Sequence, residues 1–162
     1  MQRLRLFAFP VAVSIAAITI PVALWAAPPV TTSSNQAASQ IASEASRVQS
    51  DADGLQGYVR SGAADRASAY AYAQDMDHSL RKISSLVNKV TSQPGVTGEA
   101  RAQAEKMKLQ AAGLRAMVAS TVTELSPDTL AAHAEAVFAD TTNIVKRSNM
   151  LRATAESFSS SN

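Results

Sequence analysis

Apolar residues recur along this chain at alternating spacings of four and three. Ile41, Ala45, Val48, Ala52, Leu55 and Val59 form one such run, and Ala69, Ala73, Met76, Leu80, Ile83, Val87 and Val90 form a second. A third holds Ala100, Ala104, Met107, Ala111, Leu114, Val118 and Leu125, with Thr121 or Val122 in its gap. The fourth holds Leu130, Ala134, Val137, Thr141, Ile144, Leu151 and Phe158, widened by Phe138 and Val145. This period winds a single apolar stripe along an α-helix, the seam of a coiled coil.

Punctuation residues fall between the stripes. Ser33 or Ser34 can cap the first helix, and Ser33 with Gln36 fits a capping box. Gly62 suits the left-handed conformation that ends helices, and Pro94-Gly95 is a turn signal. Thr97 can cap the third helix with Glu99 in its first turn, while Ser126, Pro127 and Asp128 sign the start of the fourth. The expected helices therefore span 34–61, 64–92, 98–125 and 127–158. Four segments of nearly equal length on short connections predict an all-α, antiparallel up-down-up-down four-helix bundle. The rival is a long helical hairpin that oligomerises, because the heptad phase passes unbroken from Val59 through Gly62 to Ala69. That arrangement would set Arg66 on the apolar seam and a glycine in mid-helix, at a cost of about 1 kcal/mol.

Ahead of the bundle, Arg3 and Arg5 precede an uncharged run from Phe7 to Ala27, and Pro28 and Pro29 open a Ser/Thr-rich stretch. That order matches a secretory signal. The expected organisation is a signal peptide over 1–26, a flexible polar tether over 27–33 and the bundle over 34–158. The bundle would then lie in the periplasm or be secreted. An uncleaved leader would instead approach the ~20 apolar residues that span a bilayer and leave a membrane-anchored sensor module, the only route to a membrane partner.

Charge changes the picture little. Two of the 15 basic residues, Arg3 and Arg5, belong to the leader and all 13 acidic residues follow it, so the bundle itself is balanced. A balanced domain has no net pull on polyanions, and nucleic acid is not an expected partner. The chain has no cysteine, which excludes disulfides, thiolate metal sites and covalent c-type haem attachment. Arg81, Lys82, Lys89, Arg101, Lys106 and Lys108 make the Pro94 end locally basic, interspersed with Glu99 and Glu105. Tyr70 and Tyr72 flank the second stripe as half-buried aromatics.

Asp75, Asp77 and His78 form the densest group of metal-ligand side chains, with Asp75 and His78 three apart on one face. Leu80 at heptad position a puts His78 at f, farthest from the interior, so a solvated face is expected there rather than a metal site. Haem ligation would need an inward histidine and methionine. His133, at g beside Ala134, is the histidine nearest the seam, with Met76, Met107, Met117 and Met150 available. Methionine on a seam is ordinary core filling, and no cofactor is expected. Neither histidine has an evident acid and serine around it, and there is no Gly-rich phosphate loop, so an enzyme is not expected either.

A leader, a Ser/Thr tether and a heptad body together resemble the small exported helical proteins of unassigned function found in acidobacterial-type genomes. The resemblance implies export and a helical bundle, and carries no activity. Exported stress chaperones are a looser likeness, and their Leu-Thr-x-x-Gln repeats are missing here. The expected function is thus non-enzymatic contact with an unknown protein partner or with itself, through the Ala-rich seam or the basic Pro94 end. A periplasmic haem- or metal-binding bundle is the alternative. N-terminal sequencing of the exported protein should begin at Ala27 or within one residue of it; Met1 retained on membrane-bound protein would select the anchored form.

Overall fold

In the computed structural model, residues 31–62 and 66–161 are described. They form α1 (Thr31–Arg60), α2 (Arg66–Thr91), α3 (Gly98–Glu124) and α4 (Pro127–Ser160). Among the described residues the backbones of α1 and α2, α2 and α3, α3 and α4, and α4 and α1 approach one another, and those of the diagonal pairs do not. The helices therefore stand at the corners of a square. Lys82 meets Glu44 while Tyr72 meets Gly54, so α2 runs down as α1 runs up. Arg152 meets Gln49 and Thr142 meets Gln56, which sets α4 antiparallel to α1 as well. This is the up-down-up-down bundle, and the helical hairpin is excluded because α1 stops at Arg60 and Gly62 turns the chain at φ 67°.

Helix ends follow local chemistry. The Thr97 side chain accepts from the Ala100 amide at 3.2 Å, and the Ser126 hydroxyl accepts from the Thr129 amide at 3.1 Å with Pro127 in the first turn. Each cap satisfies an amide that has no intrahelical partner. Gly95, at φ 92°, makes the α2–α3 turn. The start of α1 departs from expectation, since Thr31 to Ser33 are helical and Ser33 lies within the helix instead of capping it. Part of the expected tether is thus helix; the leader and residues 27–30 lie outside the described residues.

Every member of the first two stripes is buried. The third is buried from Ala104 to Leu125, with Thr121 and Val122 both filling its gap and Ala100 half-buried. On α4 the buried sequence is Val137, Thr141, Ile144, Ser148, Leu151, Ala155 and Phe158, again four and three throughout. Ala134, expected on this stripe, is exposed. It lies beside Val59 and Arg60, where α1 ends and no further turn of that helix covers it; just before it the helix breaks at His133, whose φ of −138° and ψ of 32° are not helical. Leu130's side chain lies outside the described residues. Thr141 and Ser148 are tolerated in the core because their hydroxyls donate to the Phe138 and Val145 carbonyls at 2.9 and 2.7 Å.

These stripes define a common frame in which core residues occupy a and d, and the flanking e and g positions face neighbouring helices. The square arrangement makes α1 meet α2 through g, α2 meet α3 through e, α3 meet α4 through g, and α4 meet α1 through e. Glu44 and Ser79 are g residues, Asp77 and Arg115 are e residues, and Gln49 and Arg152 are e residues; each pair lies on the seam that the frame requires. Gly54 leaves room for the Tyr72 ring, since a Cβ there would lie 2.5 Å from Tyr72 Cε1. Arg60, at the last turn of α1, stacks over the Phe138 ring 5.0 Å from its centre.

The register can be checked by substitution. Leu80→Ala and Leu114→Ala, both fully buried, should each cost about 2–5 kcal/mol in chemical denaturation. His78→Ala, on the exposed face, should change stability by less than about 0.5 kcal/mol. Equal losses for both kinds of variant would contradict the assigned heptad frame.

Candidate functional site

Successive residues on a helix point about 100° apart, so a cluster in sequence need not be one in space. Asp75, Asp77 and His78 illustrate this. Asp77, at e, turns toward α3, where its carboxylate accepts from Arg115 Nε at 2.7 Å and from Arg81 Nε at 2.6 Å. Asp75 turns toward α1 and lines a shallow groove with Arg47, Ser50, Asp51 and Ser79. His78 is exposed on the crest between these two directions and borders both grooves. Among the described residues no three His, Asp or Glu side chains converge as a metal site would require. His133 is exposed at the α4 break, far along the chain from this cluster. Met76 and Met107 are fully buried in the core, Met117 is half-buried and Met150 is exposed.

Sequence reading passed over Glu44, among the described residues the one charged side chain that is buried, at 3% exposure. Its Oε1 accepts from Lys82 Nζ at 2.6 Å and from Arg47 Nη1 at 3.2 Å. The Ser79 hydroxyl stands close enough to favour the charged form, while no group reaches Oε2 in hydrogen-bonding geometry. Burial raises the Glu44 pKa, but the hydrogen bonds from Lys82 and Ser79 and the charges of Arg47 and Lys82 outweigh it and hold the carboxyl below its usual range. Asp77 shows the same balance: burial raises its pKa, and Arg115 and Arg81 pull it down further. Asp51 goes the other way, because burial and the neighbouring Asp75 charge push it up and Arg47 offsets only part. Two of the six side chains assigned to a basic Pro94 end, Arg81 and Lys82, are therefore engaged in ion pairs lower on the bundle.

A concavity of about 420 Å³ lies between α2 and α3. Ala73, Leu80, Val118, Ala119 and Val122 give it an apolar floor, Tyr70 and Thr123 close one end, and the Asp77–Arg81–Arg115 cluster borders the other. It exists because small side chains, Ala73 and Ala119, stand where the two helices face each other. A second groove between α3 and α4 is lined by Gln110, Asn143, Lys146, Arg147 and Met150. The Ala-rich seam, expected as a docking surface, is closed by the bundle's own four helices.

Acid sensitivity follows from the Glu44 network. Its native pKa is below the unfolded value, so its contribution is fully present above the unfolded value and is lost as pH falls through the lowered native one. Glu44→Gln should cost about 1.5–3 kcal/mol at pH 7, the range for a hydrogen bond to a charged group, and the gap from wild type should close in acid. Asp51→Asn should have the opposite sign: it should raise the melting temperature at pH 7, with the gain fading as pH falls through the raised Asp51 value. Melting curves from pH 7 to pH 3 check both; a pH-independent offset for either variant would contradict the assigned electrostatics.

Comparison of the chain with family models, with curated proteins and with solved structures finds no match in any of the three.

Proposed function

We propose that the chain is a non-enzymatic exported bundle that works by protein contact, through the outer face of α3. The observation carrying this reading is that α3 has an apolar strip on its outer side as well as its inner one. Its inner face holds the buried stripe, while its outer face leaves Ala102, Leu109, Ala112 and Ala116 in solvent, Leu109 at 74% exposure. A helix apolar on opposite faces is ordinarily covered on both. Leu109 projects beside Ala112, one turn on, with Ala102 and Ala116 two turns away on either side, a bulky side chain next to a shallow surface that could receive one. The same face thus supplies both halves of a knob-into-hole contact, which favours a second copy as the occupant.

The charged clusters support the non-enzymatic part of the reading. Glu44 and Asp77 are each engaged by two cations, one on the same helix and one across the helix interface, the ordinary use of e and g positions. At the Pro94 end Lys89, Arg101 and Lys106 are exposed together with Glu99 and Glu105, a mixed surface without a single sign. Among the described residues no helix is long and apolar enough to cross a membrane. Export and a periplasmic or secreted location rest on the leader.

Leu109→Glu should abolish self-association in sedimentation equilibrium and remove the intermolecular product from crosslinking in the native envelope. Its melting temperature should stay close to wild type, since an exposed side chain contributes about 0.5 kcal/mol or less. A wild-type chain that is monomeric at every concentration, with a crosslinking pattern unchanged by the variant, would contradict the reading.

A further inference from the structure

The α2–α3 groove combines two features that suit a ligand. One is the state of its charged end. Asp77 is clamped between two guanidinium groups, each donating through Nε alone, at 2.6 Å from Arg81 and 2.7 Å from Arg115. One carboxylate against two guanidiniums leaves a net positive charge. The terminal amino groups of both arginines make no hydrogen bond among the described residues. A guanidinium presents five donors in a fixed fork, so holding it by Nε orients the outer pair toward solvent. Arg115 is 37% exposed and Arg81 67%, so both can be reached from outside.

The other feature is the floor. Ala73, Leu80, Val118, Ala119 and Val122 line it continuously from the arginines toward Tyr70. Tyr70 to Arg81 spans eleven residues of α2, about 16 Å at 1.5 Å per residue. A volume of about 420 Å³ falls in the range of small-molecule sites, which are mainly apolar with a few fixed polar groups. Only a few side chains of a docking helix would fit so small a trough, whereas a slender apolar chain fills it lengthwise.

We infer that the α2–α3 groove is a binding site for an amphipathic monocarboxylate, its chain lying along Ala73, Val118, Ala119 and Val122 and its carboxylate bridging the free amino groups of Arg81 and Arg115. Asp77 positions the two guanidiniums, and Tyr70 closes the apolar end. Bidentate contact with two pre-oriented arginines selects a carboxylate over an ammonium or an alcohol. The site is on a different face from Leu109, so it stands or falls separately from the protein-contact reading.

Isothermal titration of the purified chain with decanoate, decanol and decyltrimethylammonium tests this assignment. Decanoate should bind at one site per chain, with decanol at least about tenfold weaker and the cation weaker still, tenfold being the loss of one charged hydrogen bond. Arg81→Gln should weaken decanoate about tenfold. Ala119→Phe, which fills the groove from an exposed position, should abolish binding without lowering the melting temperature. Equal binding of decanoate and the cation, undiminished binding to the Ala119→Phe variant, or no heat with decanoate would overturn the assignment. So would an acidic amphipathic peptide that binds the groove when decanoate does not.

Discussion

Burial of four mainly apolar stripes against one another fixes the rotation of every helix about its own axis, and the rest of the molecule follows from that. Once Ile41, Leu80, Leu114 and Ile144 point inward, each flanking residue has one neighbouring helix it can reach. Glu44 is committed to α2, Asp77 to α3 and Arg152 to α1. Alanine brings the helices close, so a charged residue beside the seam is drawn out of water and must find a partner across it. The ion pairs are therefore consequences of the core register more than independent sources of stability.

The same rule explains where the surface is uneven. Between α1 and α2 the flanking layer is polar and paired, apart from the Asp51–Asp75 repulsion that opposes folding. Between α2 and α3 the layer is an ion cluster at one end and small apolar residues at the other, and a groove opens. Helix α3 also carries apolar residues on its outer face, Leu109 foremost. A fold closed by its own core thus keeps two apolar surfaces, one concave and one projecting, both belonging to α3.

Most of the fold was legible in the sequence because its main signal, the four-three period, is a direct image of helix geometry. Ser126, Pro127 and Thr97 were legible for the same reason, since capping acts over three or four residues. The losses occurred where the controlling interaction is not local. Ala134 fits the period, but it stands where α1 ends at Arg60 and is left exposed beside Val59 and Arg60. Asp75, Asp77 and His78 looked like one cluster because they are close in sequence, while two of them face different neighbours. Glu44 and the Asp77–Arg115 pair carry no motif. They emerge only when α1 is laid against α2, and α2 against α3, in antiparallel register, where Glu44 and Ser79 share the g seam and Asp77 and Arg115 the e seam. Arg81 and Lys82 seemed part of a basic end until those carboxylates claimed them.

The central claim is that one chain closes its own seam by bringing α4 back against α1. Because the native chain has no cysteine, this can be tested cleanly with Gln56→Cys and Thr142→Cys in one molecule, at positions whose side chains lie 2.9 Å apart. Reaction with a short bis-maleimide at high dilution should link α1 to α4 within single chains, giving a monomeric product that peptide mapping assigns to residues 56 and 142. Crosslinked dimers alone, with no intramolecular product, would show that the seam is closed between chains and would contradict the account.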